Sequence, residues 1–154
     1  MTCDEFKAGY PQFRFPGPAS RLQSPEYAAW VGHLDGCRAC GDWYQGEEVR
    51  ARGIDLARYP CVHLAYYTGV WFADRADSDR QNVAIVYNPR FDEFGIHLYD
   101  RSVLGIRYCP WCGTKTPESR RDEWFDRAQA LGIADQNDPR LPDELKTDAW
   151  YRKP

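Results

Sequence analysis

Cys109-Pro110-Trp111-Cys112-Gly113 is the segment that most limits what this chain can become. Two cysteines separated by two residues reach one ion from a single tight turn, and zinc prefers thiolate and imidazole ligands in a tetrahedron. Glycine after the second cysteine tolerates the left-handed conformation such a turn often needs. Pro110 stiffens the loop. A knuckle supplies two ligands only, so two more must come from elsewhere. A second CxxCG, Cys37-Arg38-Ala39-Cys40-Gly41, is the obvious donor, which makes Cys37, Cys40, Cys109 and Cys112 the preferred zinc site. The rival partners for the second knuckle are Cys61 and His63. On a strand, residues two apart face the same side, so both would approach one ion. Mixed sets remain open. Iron also suits four thiolates and ranks below zinc. A redox dithiol is a third reading, weakened by the presence of two CxxC pairs and the lack of a thioredoxin-like βαβ pattern. His33 and His97 read as helix-face and strand residues rather than ligands, and Cys3 as an unpaired buried thiol.

A length of 154 residues suits one domain with one core, and at that size metal is not required merely to reach a core. Met1-Thr2-Cys3-Asp4-Glu5-Phe6 has neither a basic start nor an apolar stretch, so no secretory leader is expected. The six cysteines then read as thiols or metal ligands in a cytoplasmic protein rather than as disulfides. No apolar run approaches the roughly 20 residues of a membrane span.

Along the chain, residues 1–22 read as an extended arm, because Pro11, Pro16 and Pro18 interrupt any helix. Residues 23–154 form the expected single zinc-stabilised domain. Ser24 is a good cap, Pro25 suits the first helical position, and Gly36 ends a helix over 25–35. Tyr27, Trp30, Val31 and Leu34 share its apolar face. Residues 47–59 are ambiguous, and 61–72 can begin as helix or strand. Residues 73–82 read as a charged loop. Strand signals follow at 83–87, 95–99 and 103–108, joined in an antiparallel meander. Ser119 and Gly132 bracket a helix over 120–131 with Trp124, Phe125, Ala128 and Leu131 on its apolar face. Leu141, Leu145, Trp150 and Tyr151 should dock the tail. The expected class is α+β: about three antiparallel strands, flanking helices and a zinc knuckle.

The run Tyr108-Cys109-Pro110-Trp111-Cys112-Gly113-Thr114-Lys115, followed by Pro117-Glu118-Ser119-Arg120-Arg121-Asp122-Glu123-Trp124-Phe125-Asp126, resembles an uncharacterised family of small bacterial and phage-encoded zinc-ribbon-like proteins. Phe91-Asp92-Glu93-Phe94-Gly95-Ile96 and Asp148-Ala149-Trp150-Tyr151 are similar to it too. The likeness spans about residues 59–152, with the N-terminal 58 residues as an extension. It implies a metal-stabilised domain with no assigned activity.

Three functions compete. A protein-binding module of immunity, inhibitor or adaptor type suits the small size, the acidic balance and the 6 Trp and 10 Tyr. Trp, Tyr and Arg are favoured at interfaces. Nucleic-acid binding through Arg38, Arg107, Lys115, Arg120, Arg121 and a stacking Trp111 ranks second, because a net charge of -3 gives little general attraction to phosphate. An enzyme ranks third. No HExxH, P-loop, GxSxG or dinucleotide glycine pattern is present, and Asp92 with Glu93 reads as a polar turn. The expected partner is therefore another protein, with zinc as the cofactor and no membrane.

Overall fold

The structure, a computed structural model, describes residues 1–14, 22–70, 85–98 and 102–152. The chain separates into two compact units, Met1–Leu56 and Ala57–Pro154, where one domain behind an arm was expected.

The first unit holds three helices: α1 (Cys3–Phe13), α2 (Pro25–Gly36) and α3 (Arg38–Ala51). α1 lies where the extended arm was expected. Thr2 and Glu5 close a capping box, each accepting from the other's backbone N–H, at 3.2 and 2.6 Å. Two donors that would otherwise be orphaned are thereby satisfied. Pro11 falls in the last turn, where its missing N–H costs little continuation of the helix. The rest of the expected arm, 15–21, lies outside the described residues. α2 follows its sequence signals, with Ser24 accepting from the Tyr27 N–H at 3.1 Å.

Aromatic packing joins the three helices. Phe6 stacks on Trp30 with ring centroids 4.7 Å apart, and the Trp30 indole N–H donates to the Phe6 carbonyl at 2.9 Å. Gly9 permits this approach, since a Cβ there would stand 3.0 Å from Phe13 and 3.1 Å from Trp30. Glu48 is buried on α3 but not unpaired. Its carboxylate accepts from the Tyr10 hydroxyl at 2.7 Å and pairs with the Arg14 guanidinium at 3.2 Å. Those partners offset the desolvation of a buried charge.

The second unit is α+β. Short helix α4 (Val62–Ala65) runs into a π-helical turn, Tyr66–Val70. Strands β1 (Ile85–Asn88), β2 (Glu93–His97) and β3 (Val103–Gly105) form an antiparallel sheet in that order. This is the meander the alternation predicts, although residues 83–84 and 99 of the expected strands lie outside the described residues, as does the charged loop at 73–82. Helix α5 (Arg121–Ala130) follows the knuckle. Its cap position is Arg120 rather than Ser119, and the Ser119 hydroxyl accepts from the Arg121 N–H at 3.1 Å.

Trp124 and Ala128 are buried on α5, whereas Phe125 and Leu131 are exposed, contrary to the four-residue apolar face expected. The tail docks as its residues suggest. Leu141, Leu145 and Trp150 join Phe91, Trp124, Ala128 and Ile133 in one core, and the Trp124 indole donates to the Leu145 carbonyl at 2.8 Å. Among the described residues, no helix is long and apolar enough to cross a membrane.

The β1–β2 turn is tied to α5 by Glu93, whose carboxylate accepts two bonds from Arg121, at 3.0 and 2.6 Å, and one from Ser119. Partial burial raises the Glu93 pKa, but the Arg121 guanidinium and the Ser119 hydroxyl outweigh it and leave the carboxyl below its ordinary 4.5. A depressed carboxylate stabilises the fold above its unfolded pKa and loses that contribution as the pH falls through its folded value. Glu93→Gln is expected to cost about 1 kcal/mol at neutral pH. In chemical denaturation the gap from wild type should narrow as the pH falls below 4.5 and through the lowered folded-state value of Glu93.

Candidate metal centres

Cys109 and Cys112 sit in a hairpin turn. Tyr108 and Lys115 bridge across its base, the Cys109 N–H donates to the Thr114 carbonyl at 2.8 Å, and the Gly113 N–H returns to the Cys109 carbonyl at 2.9 Å. Gly113 has φ of 71°, so the left-handed residue anticipated after the second cysteine is present. This folding turns both sulfurs to one side. Cys61 and His63 reach the same point from the start of α4, where Cys61 is the extended N-cap residue and His63 lies in the first turn. Their approach is therefore that of a helix N-terminus, not of a strand.

One donor atom from each of Cys61, His63, Cys109 and Cys112 lies within 4.8 Å of every other. His63 and Cys109 are buried, while Cys61 and Cys112 are half-buried. Leu64, Ile85 and Phe94 pack with Cys109 to form the apolar floor. Trp111, at the tip of the turn, stacks on Tyr67 with centroids 4.0 Å apart, and its ring lies parallel to that of His63 at 6.2 Å.

The thiols are unequal. Burial pushes Cys61 up to about 12. For Cys112 burial acts in the same direction, but the Thr114 hydroxyl and backbone override it and bring the thiol down to about 6. Thr114 Oγ1 stands 3.1 Å from the Cys112 sulfur. Such a neighbour orients a ligating thiolate.

A second group lies in the first unit. Donor atoms of Cys3, His33, Cys37 and Cys40 also lie within 4.8 Å of one another. Cys3 opens α1, His33 is in the last turn of α2, Cys37 joins α2 to α3, and Cys40 is in the first turn of α3. Burial drives Cys40 up to about 12, whereas the Cys40 backbone N–H, ahead of other bonds, holds Cys37 below its ordinary value. All six cysteines are free thiols.

The four-cysteine set Cys37, Cys40, Cys109 and Cys112 is thus not one of the groups that the described residues form. Each knuckle finds its companions within its own unit. Cys37 and Cys40 gather Cys3 and His33, where the sequence suggests a core thiol and a helix-face imidazole. Two signals pointed to them: the Thr-x-x-Glu capping box that starts a helix at Cys3, and the four-residue step from His33 to Cys37, which places both on one helix face. His97 belongs to neither group. Asp92 and Glu93 stay in a polar turn, where Asp92 accepts from the Tyr87 hydroxyl at 2.8 Å.

Both donor sets, three sulfurs and one imidazole, are chemically suited to a metal ion. Residues 72–153 match the family described as Domain of unknown function (DUF6980). The chain belongs to this family. The DUF6980 span contains Cys109, Cys112 and the sheet, but begins after Cys61 and His63, so half of that donor group lies upstream of it. The entire first unit lies outside it. The start at 72 is later than the resemblance near residue 59 implied. Neither the curated proteins nor the solved structures contain a match to the chain.

An l-residue in the left-handed region costs about 1–2 kcal/mol. At Gly113 a Cβ would meet nothing within 4 Å, so that conformational cost stands alone. Gly113→Ala is expected to destabilise the second unit by about 1 kcal/mol and to lower metal affinity, with Gly113→Asn recovering most of the loss. Thermal unfolding and competition with a chromogenic chelator measure the two effects.

Proposed function

We propose that the chain is a zinc-stabilised protein-binding module, of the immunity, inhibitor or adaptor type, whose metal has a structural and not a catalytic part. The donor chemistry supports zinc. Thiolate and imidazole ligands suit a tetrahedral ion, and four protein ligands leave no position for a reactive water. An ion held by Cys61, His63, Cys109 and Cys112 would couple the start of α4 to the knuckle, so that binding energy becomes folding energy. The thiols this needs accord with a reducing cytoplasm.

The observation that carries the binding role is the apolar surface of one short stretch. Leu98, Val103, Leu104, Tyr108 and Trp111 are all large and exposed, and they run from the β2–β3 hairpin to the tip of the knuckle. β3 is the outer strand of the sheet among the described residues, with all three of its residues exposed. Beside it, a groove of about 800 Å³ is lined in part by Val86, Phe94, Gly95, Val103 and Arg121. Exposed apolar side chains on both faces of an edge strand, and on the turn that follows it, gain from being covered.

The cations near the knuckle favour a protein over a phosphate backbone. Lys115, Arg120 and Arg121 are paired with Glu118, Glu123 and Glu93. Trp111 already has Tyr67 stacked against it.

Leu104→Glu and Tyr108→Ala are expected to keep zinc content and melting temperature close to wild type, since exposed substitutions of this kind cost within about 0.5 kcal/mol. Wild type is expected to retain a single stoichiometric protein from its native host, and both variants should abolish its recovery. If the two variants retain that protein, the surface is misassigned. Salt-dependent binding to mixed DNA and RNA, lost in these variants, would assign it to nucleic acid instead.

A further inference from the structure

We propose that the first unit carries a metal centre of its own, a second zinc-class ion held by Cys3, His33, Cys37 and Cys40, independent of the DUF6980 domain. The proposal goes beyond the function argued above and shares no residue with it.

Three of the donors come from one contiguous stretch. His33 and Cys37 are four residues apart across the end of α2, so they face the same side, and Cys40 follows one turn into α3. The backbone enforces this corner. The Cys37 N–H donates to the His33 carbonyl at 2.9 Å, and the Cys40 and Gly41 N–H groups donate to the Cys37 carbonyl at 3.0 and 2.9 Å. Cys3 arrives from 34 residues away as the first residue of α1, placed by the capping box just before it.

Two of the donor–donor distances match the edges of a coordination tetrahedron, and the rest lie within 4.8 Å. Metal–sulfur bonds of about 2.3 Å and metal–nitrogen bonds of about 2.0 Å give sulfur–sulfur edges of about 3.8 Å and sulfur–nitrogen edges of about 3.5 Å. The Cys3 and Cys37 sulfurs are 3.9 Å apart, and His33 Nε2 is 3.3 Å from the Cys40 sulfur. A disulfide requires sulfurs at about 2.05 Å, so the Cys3–Cys37 spacing is not that of a bond. Core packing does not account for the group either, because Cys3 is exposed and only Cys40 is fully buried.

The first unit also has reason to need such a clamp. It ends at Leu56, and a unit of that size buries too little surface to be more than marginally stable by its core alone. An ion on Cys3 would fasten the start of α1 to the α2–α3 corner. The opposite end of α1 is already held through Tyr10 and Arg14 by Glu48. Because Cys3 is exposed, this ion should leave first. The other group has two buried donors and would release its ion later.

Elemental analysis of the full-length chain tests this directly. Wild type is expected to hold two zinc ions per chain, and Cys3→Ser, Cys37→Ser and Cys109→Ser one each. Wild type with one ion, lost in Cys109→Ser and retained in Cys37→Ser, overturns this centre and leaves the DUF6980 centre standing. The reverse pattern does the opposite. A single ion lost in both variants restores the four-cysteine set and removes both centres.

Should Cys37→Ser fail to fold, cobalt substitution supplies the second readout. His33→Cys is expected to keep two ions and shift the cobalt d–d bands toward those of a four-thiolate site. Unchanged bands show that His33 is not a ligand and overturn the assignment.

Discussion

Four soft donors brought within 4.8 Å of one another at a meeting of chain segments are the constraint on which each half of this protein depends. Several thiolates cannot share such a space without a compensating cation, because like charges raise one another's pKa. A divalent ion would resolve that conflict, because it binds thiolate sulfur and neutral imidazole. The thiols are unequal for local reasons: burial drives Cys61 up to about 12, while burial of Cys112 is outweighed by the Thr114 hydroxyl and backbone, which bring it down to about 6. In both units the donors sit at ends of elements: the starts of α1, α3 and α4, the end of α2, and a hairpin turn. Those are the places where the local backbone is already fixed by caps and turn bonds, so coordination adds little further ordering cost.

Around the second group the rest of the unit is arranged in layers. The sheet gives Ile85 and Phe94 to the floor beneath Cys109, Trp111 and Tyr67 cover one side, and Thr114 faces the Cys112 sulfur. A separate core of Phe91, Trp124, Leu141, Leu145 and Trp150 holds α5 and the tail. Glu93 connects the two regions through Arg121 and Ser119. The side chains of β3 lie outside both groups and are exposed, which supports the proposal that they face a partner.

The elements with strong local signals were legible in the sequence. Alternation marked the meander, Ser24 and Pro25 marked α2, Gly113 marked the knuckle, and the aromatic tail residues marked their docking. Three things were not. α1 was hidden because Pro11 signals a helix break, although in the last turn it removes one N–H without ending the helix before Phe13. α3 was hidden because a CxxC suggests a loop, whereas Cys37 here is the N-cap of a helix that carries Cys40 in its first turn. Phe125 and Leu131 share the helical period of Trp124 but lie outside the stripe that the tail covers.

The pairing of the cysteine groups was the hardest feature to read. Two CxxCG motifs are chemically interchangeable, so spacing alone cannot say whether they share an ion or each have one. The folding of α1 and α4 brings Cys3 and His33 close to one motif and Cys61 and His63 close to the other, a juxtaposition that spacing does not reveal.

X-ray absorption at the zinc edge of the fully loaded protein probes that arrangement without any substitution. If each motif completes its own tetrad, the average shell contains three sulfurs at about 2.3 Å and one imidazole nitrogen at about 2.0 Å. A shell of four sulfurs with no imidazole scattering would contradict the account, since it is what a single ion shared between the two motifs would give.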